Sequence, residues 1–573
     1  MRSALVGRDR ELGLLLGCLD EAQSGDASLV VCVGEPGIGK SRLAEELTRA
    51  GQARGFRTAW GRAAPSIGAP PYWPWLEVLH ALADAVPGSA DDAATLTSAA
   101  GTELSLDERM RRFDAVSRLV LRVARTQPLI IILDDLDGAD ETSQLLATHL
   151  ARIAREDPLL LVVTCRDTAG PLAGLAQESL ATQLQVRGLD RVTVGRQVSS
   201  IVGREPSDAE IGTVYDATAG NPFFVGELAR QMVDGSGWSD VVPRSVLDAI
   251  AQRLARLTPD CAASLRAAAV LGTEFTAPVL ASVTERSVED CLLSLDEAGR
   301  AALLVPSDTP GVRRFAHDLV RDAIVANLDA KLRVTLHRRA AEALEKHHTG
   351  DLKPVLFDLA RHWAEAAVAG DQARAVSWID RAGREAMRQH AYEDGRRLFV
   401  SALTVGGQTL DDLTRCRLRL SLAAAQSLSS DLVGALQTCR EVADQGVRLG
   451  RPDIAGEAAL VPEPTFDPEV DQVIRALCEQ ALSVLGDAPT SLRARVLAQY
   501  AVVCDHLSDL DAAHPAVEEA LAVAQGSGDT IAVEAALIAH HLVSRGRMGS
   551  PSGRSTRTGC GSWAPASAVR PSA

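Results

Sequence analysis

Three short apolar runs punctuate the first third of the chain: Leu29-Val30-Val31-Cys32-Val33, Leu129-Ile130-Ile131-Ile132-Leu133 and Leu159-Leu160-Leu161-Val162-Val163-Thr164. Each is short, rich in β-branched residues or leucine, and followed by polar or glycine positions, the pattern of strands buried on both faces. Amphipathic stretches lie between and after them: Ser41–Leu47, Arg111–Arg125 and Thr142–Ile153. This alternation predicts an α/β fold with a parallel sheet and helices on both faces. Ligands of such sheets bind at the carboxyl ends of the strands.

Further along, the period becomes helical. Val246, Ile250, Leu254 and Leu257 share one helix face. Leu303-Leu304-Val305 and Val312-Arg313-Arg314-Phe315 flank the turn-forming Pro306-Ser307-Asp308-Thr309-Pro310-Gly311 and read as a β-hairpin. Helices followed by a hairpin suggest a winged-helix domain. Beyond residue 335 the chain is alanine-rich and helical. The stretch from Ala369-Gly370-Asp371 through Ala391-Tyr392-Glu393-Asp394-Gly395 to Ala402-Leu403 resembles tetratricopeptide-type helix pairs, with Gly395 where that repeat prefers alanine. Such arrays offer concave surfaces to partners, and the sequence does not name one here. After Arg545 the periodicity stops, and the Gly/Ser/Arg/Pro-rich remainder reads as disordered. The abrupt break reads either as a frameshifted or truncated product or as a natural short form. The expected domains are residues 1–175 (nucleotide module), 176–240 (helical lid), 241–332 (winged helix), 333–545 (helical repeats) and 546–573 (tail).

Composition narrows the class. A chain of 573 residues exceeds one core, and 3% aromatics with abundant alanine favours helices packed through small residues. The net charge of −16 comes without a basic stripe, so direct nucleic-acid binding is not expected. Ten cysteines form no CxxC or Cys/His cluster, which points to reduced thiols. Arg2, Arg8, Asp9, Arg10 and Glu11 interrupt the N-terminus, unlike a signal peptide, and no apolar stretch approaches a membrane span. A cytoplasmic protein is expected.

The chemistry concentrates after the first run. Gly34-Glu35-Pro36-Gly37-Ile38-Gly39-Lys40-Ser41 fits GxxxxGK[ST], the phosphate-binding loop of nucleotide triphosphatases, between a strand and a helix as the motif requires. Glycines let successive N–H groups face one concavity, and the helix adds the positive end of its dipole. Lys40 is expected to reach the β- and γ-phosphates and the Ser41 hydroxyl to ligate Mg²⁺. The second run ends in Asp134-Asp135. Asp134 is the expected metal-side acid and Asp135 the residue that orients or deprotonates water. Arg166 ends the third run. It reads either as a γ-phosphate sensor or as a surface arginine capping the strand. The segment Ala69-Pro70-Pro71-Tyr72-Trp73-Pro74-Trp75 reads as a packing corner before a ligand contact.

Together these pieces resemble the signal-transduction ATPases with numerous domains, a branch of the AAA+ class. Leu5-Val6-Gly7-Arg8-Asp9-Arg10-Glu11-Leu12 is similar to their opening hhGRxxEL motif. The loop, Leu133-Asp134-Asp135-Leu136-Asp137-Gly138-Ala139-Asp140 and Thr164-Cys165-Arg166-Asp167 match the successive motifs. Where relatives often read LDDLHWAD, Asp137 and Gly138 replace His and Trp. Many relatives carry Glu where Asp135 stands; Asp is one methylene shorter, so slow hydrolysis is expected. Gly220-Asn221-Pro222-Phe223-Phe224-Val225-Gly226-Glu227-Leu228 is similar to the family's GNPFF-E-L segment, which implies that Pro222 packs on adenine. From the residues alone it is a helix-start turn. Phe315-Ala316-His317-Asp318 resembles the His-Asp motif that contacts ADP in related switch ATPases; without the family, His317 is a partly buried histidine bonded to backbone. The resemblance implies a nucleotide site drawn from Val6, Gly7 and Arg8, from Gly34 through Ser41, and from Arg42, Pro222 and His317.

The match is nearest to maltose-activator-like and LuxR-type transcriptional regulators, whose helix-turn-helix is not seen here. It implies an ATP/ADP conformational switch, an inducer or protein partner on the helical repeats, and self-association in the ATP state. Two alternatives stay open: a fast-cycling ATPase of the remodeller or initiator type, and a repeat scaffold with a vestigial nucleotide site.

Overall fold

The computed structural model describes residues 5–63, 70–83, 106–233, 254, 256–301, 303–307, 309–487 and 490–548. The chain divides into two compact units, Met1–Asp431 and Leu432–Ala573.

The first unit opens with a five-stranded sheet. Its strands are β1 (Ser28–Val33), β2 (Arg57–Arg62), β3 (Leu129–Asp134), β4 (Leu159–Cys165) and β5 (Ala181–Gln185). The order is β2-β3-β4-β1-β5 and every pairing is parallel. Alternate side chains feed two cores, because successive strand residues point to opposite faces. Leu29, Val31, Ile131, Leu133, Leu161 and Val163 pack on one face with Trp75, Val120 and Leu150. Val30, Cys32, Ile130, Ile132, Leu160 and Val162 pack on the other with Leu15, Leu19, Leu43 and Leu47. The three apolar runs are thus the central strands. The edge strands β2 and β5 mix polar and apolar residues, because an edge is less enclosed. The expected packing corner is one: Tyr72 and Trp75 are fully buried, and the Trp75 indole donates to the Ser143 carbonyl at 3.0 Å. Ala69 lies outside the described residues.

Because β5 pairs with β1, the sheet extends past residue 175, where the first domain was expected to end. Three helices follow, Arg191–Val202, Asp208–Thr218 and Pro222–Val233. They enclose a small core of Val194, Val198, Val214, Val225 and Ala229. The expected boundary at Val242-Pro243, with Val246 and Ile250, lies outside the described residues. The next core joins helices Pro259–Leu271, Ala277–Thr284, Val288–Arg300 and Asp318–Ala326 to a second sheet. That sheet contains the expected hairpin, β7 (Leu304–Pro306) and β8 (Val312–Phe315), plus β6 (Glu274–Thr276), all antiparallel in the order β6-β8-β7. A three-residue strand is too short for period-2 alternation to announce it.

Helices Ala330–His347, Leu356–Ala366, Gln372–Arg388, Tyr392–Gly406 and Asp412–Leu428 complete the first unit. Small residues sit where they cross: a Cβ on Gly383 would meet the Phe399 ring at 2.7 Å, and one on Gly395 the Met387 sulfur at 2.8 Å. Among the described residues the second unit holds six helices, from Leu432–Arg448 to Thr530–Met548. Its core is mostly alanine, including Ala498, Ala501, Ala513, Ala520 and Ala532. The last helix runs three residues past Arg545, and residues 549–573 lie outside the described residues. Among the described residues no helix is long and apolar enough to cross a membrane. The nine described cysteines are all buried and unpaired with one another.

Candidate functional site

The loop after β1 adopts the backbone its glycines allow. Gly37 and Gly39 have φ of +78° and +102°, in the left-handed region that side chains disfavour. Gly34 has no room for a Cβ, which would meet the Val186 carbonyl oxygen at 2.6 Å. The helix Lys40–Ala53 starts directly from Gly39 and has no acidic residue in its first turn, so its positive end is not neutralised within the helix. The Lys40 ammonium donates to the carbonyls of Gly34 at 2.8 Å and Glu35 at 3.2 Å, which holds the charge over the loop.

The expected metal-side acid lies at the end of the second central strand. Asp134 is buried at the end of β3, and its Oδ1 accepts from the Ser41 hydroxyl at 2.9 Å and the Thr164 hydroxyl at 2.7 Å. Thr164 in turn accepts from the Asp135 backbone N–H at 2.8 Å. That bond helps fix Asp135 at φ +52°. Burial, then the adjacent Asp134 charge, push the Asp135 carboxyl up to about 7, with Lys40 opposing.

Two flanking segments brace the loop. Arg8 is buried and donates to the Ile38 carbonyl at 2.9 Å while pairing with Glu11 at 2.9 Å. It positions the loop from beneath. Gly7, at φ +68°, passes so close to the helix Arg191–Val202 that a Cβ would lie 2.2 Å from Thr193. Val6, partly buried, precedes it. On the other side, the Asn221 side-chain amide donates to the Pro36 carbonyl at 3.0 Å, and the Phe223 N–H reaches the Gly37 carbonyl at 3.4 Å. A Cβ on Gly37 would crowd Phe223, Asn221 and Leu319 together, at 3.0 to 3.2 Å. The loop therefore touches both the three-helix segment and the start of the helix Asp318–Ala326.

Pro222 starts the helix Pro222–Val233 between these contacts, and its carbonyl accepts from Gln197 at 2.7 Å. His317 caps the helix Asp318–Ala326: its Nδ1 accepts from the Leu319 N–H at 3.3 Å, and its ring lies 4.3 Å from that of Phe223. It is thus bonded to backbone and also stands beside the loop. Burial lowers its pKa to about 4, which leaves the ring neutral at pH 7. Two candidate arginines pair with nearby carboxylates. The Arg42 side chain runs along its own helix to Glu45 at 3.1 Å and Glu46 at 2.7 Å. Arg166 is held by Asp137, through Nε at 2.8 Å and its backbone N–H at 3.2 Å. The sequence reading did not single out Asn221, Phe223, Leu319 or Arg62, because their roles depend on contacts far apart in the chain.

The residues fit a magnesium nucleotide. Mg²⁺ takes few protein ligands alongside phosphate and water oxygens, and one hydroxyl and one buried carboxylate side by side supply them. Among the described residues no group of three or more metal-ligating side chains exists that would suit a resident metal instead.

Comparison agrees with the geometry. Residues 4–163 match the AAA ATPase domain family, and this segment is an AAA ATPase domain, a nucleotide-binding module. An uncharacterized protein of Rhizobium meliloti (strain 1021) is 26% identical over 523 residues, covering 79% of this chain and 48% of that protein. The chain thus spans about half the length of this curated relative. Solved structures similar to the chain include a signal transduction ATPase with numerous domains carrying a tetratricopeptide repeat sensor, from Pyrococcus horikoshii. That likeness is at 15% identity and TM-score 0.42, over 96% of this chain and 80% of that one. Another is Drosophila ORC bound to DNA, at 13% identity and TM-score 0.29, over 56% of this chain and 86% of that one.

Proposed function

We propose that the chain is a signal-transduction ATPase whose bound nucleotide, ATP or ADP, sets the arrangement of three modules. The observation that carries this is the clasp on one turn of the loop: Asn221 and Phe223 on Pro36 and Gly37, with Leu319 against the same glycine. A ligand that seats differently against that turn shifts the balance between closed and open forms, which is population shift by differential affinity.

Within this reading, Lys40 and the loop amides bind the phosphates, and Ser41 and Asp134 hold Mg²⁺, which would neutralise phosphate charge. Asp135 takes a proton from water, and its shorter reach supports slow turnover. Pro222 and His317 border the nucleotide from the lid and winged-helix sides. Arg8, with Val6 and Gly7, keeps the loop in place. The proposed output is transcriptional control of the LuxR type, set by an inducer or protein partner on the helical array, with self-association in the ATP state.

The test is to extract and identify nucleotide from purified protein, then measure turnover. Retained adenine nucleotide with slow hydrolysis, both lost in Lys40→Ala, is the expected result. Fast turnover that needs no partner would replace the switch with a remodelling ATPase. Absence of ATP and ADP binding in calorimetry would leave only a scaffold.

A further inference from the structure

Arg62 ends β2, on the carboxyl side of the sheet where its ligands bind. Its register partner across β2 and β3 is Asp134. The guanidinium Nε stands 3.6 Å from Asp134 Oδ2, beyond hydrogen-bond distance, and the guanidinium lies 5.4 Å from the Trp60 ring. Among the described residues no hydrogen bond is made by the Arg62 side chain; its backbone N–H alone is anchored, to Glu77 at 2.7 Å. The side chain is 41% exposed. Burial raises the Asp318 pKa and the Arg62 charge opposes that rise, so Arg62 lies within electrostatic range of the helix Asp318–Ala326.

This is a fork of donors on a fixed backbone, adjacent to the metal-side acid. A guanidinium matches phosphate oxygens in a bidentate way. Arg166, the other arginine at a strand end, is already bound to Asp137. A Mg²⁺ at Ser41 and Asp134 would compete with Arg62 for the same carboxylate and free the guanidinium. We propose that Arg62 reads the γ-phosphate, binding it in the ATP form and standing without a phosphate partner in the ADP form, while the approach to Asp134 belongs to the nucleotide-free site. The proposal rests on the nucleotide reading above and assigns to Arg62 the discrimination that a switch requires.

The experiment is calorimetry of the full chain with Mg²⁺-ADP and with a non-hydrolysable Mg²⁺-ATP analogue, for wild type, Arg62→Gln, Arg62→Lys and Arg166→Gln. The expected result is a 10- to 100-fold loss of analogue affinity in Arg62→Gln, on the scale of charged hydrogen bonds, with ADP affinity within about threefold. Arg62→Lys should fall between, because charge is kept and the fork is lost. Loss of analogue affinity in Arg166→Gln with none in Arg62→Gln would overturn the assignment and give the γ-phosphate contact to Arg166. Equal losses for both nucleotides in Arg62→Gln, or no loss for either, overturns the assignment while leaving the nucleotide reading intact. Failure of the wild type to bind either nucleotide overturns both. Should Arg62→Gln not fold, the analogue-to-ADP affinity ratio in Arg62→Lys decides: an unchanged ratio rejects the proposal.

Discussion

Asn221 reaches across 185 residues of sequence to donate its side-chain amide to the Pro36 carbonyl. Its carbonyl oxygen meanwhile accepts from the Phe223 N–H at 3.2 Å, so one buried side chain ties the helix start to the phosphate loop. Asn221→Ala should remove both bonds and leave the phosphate ligands in place. A loss of about 1 kcal/mol in urea unfolding is expected, the usual net worth of a buried hydrogen bond. Nucleotide should still bind, while ligand-induced protection of amides 221–225 from hydrogen exchange falls. Full protection in the variant would show that the clasp does not couple ligand to the helix Pro222–Val233.

Asp135 gives a pH signature with a definite sign. Its folded-state pKa, near 7, lies above the ordinary aspartate value of 3.8. The folded protein therefore holds a proton there that the unfolded chain releases, and stability falls as pH rises from about 4 to about 7. Asp135→Asn removes that dependence. The variant should melt higher than wild type at pH 8 and alike at pH 4. Scanning calorimetry at the two pH values checks this. In hydrolysis assays the same variant should bind nucleotide and turn over little or none, as loss of a proton acceptor predicts.

How far the sequence carried is visible strand by strand. β1, β3 and β4 are central, buried on both faces, and written as unbroken apolar runs. β2 (Arg-Thr-Ala-Trp-Gly-Arg) and β5 (Ala-Thr-Gln-Leu-Gln) are edges, and their mixed composition carries no comparable signal. The same division holds in the site. The Lys40 contacts are legible because the Gly34 and Glu35 carbonyls belong to its own contiguous motif, and the place of Asp134 because it ends an apolar run. The clasp by Asn221 and Leu319, and the approach of Arg62 to Asp134, arise only when distant segments pack. Local spacing cannot encode them. Asp137 shows the reverse case: it reads as a mere departure from the family motif until the fold pairs it with Arg166.

A buried ion pair links the ATPase domain to the helical array. Arg109, on the helix Leu106–Thr126, meets Glu393 at 2.9 Å and lies 5.3 Å from the Tyr392 ring. Both charged side chains are about nine-tenths buried. Truncating one partner strands the other charge, which typically costs about 3–5 kcal/mol. Burial, and after it repulsion from Glu393, raises the pKa of Glu141, so removing Glu393 relieves that repulsion. Glu393→Ala should therefore cost about 3 kcal/mol, at the low end of that range. Arg109→Ala, which loses the ring contact as well and leaves Glu393 beside Glu141, should cost more. Urea titrations of the two variants rank them; the reverse order would refute the electrostatic account.

Gly37 offers the sharpest test of the clasp, because one methyl group addresses all of it. At φ +78° any side chain is strained, and the added Cβ would lie 3.0 Å from Phe223 and 3.2 Å from both Asn221 and Leu319. Strain of this kind costs about 1–3 kcal/mol, and neighbours on two flanking segments must yield. Gly39→Ala is the control: its φ of +102° is equally unfavourable, yet nothing lies within 4 Å of the added Cβ. Both variants should lose stability through the backbone. Gly37→Ala alone should show faster hydrogen exchange in residues 221–225 and 318–322 without nucleotide. If the two variants exchange alike there, the close packing at Gly37 does not hold these segments together, and their arrangement draws its stability from contacts away from the loop.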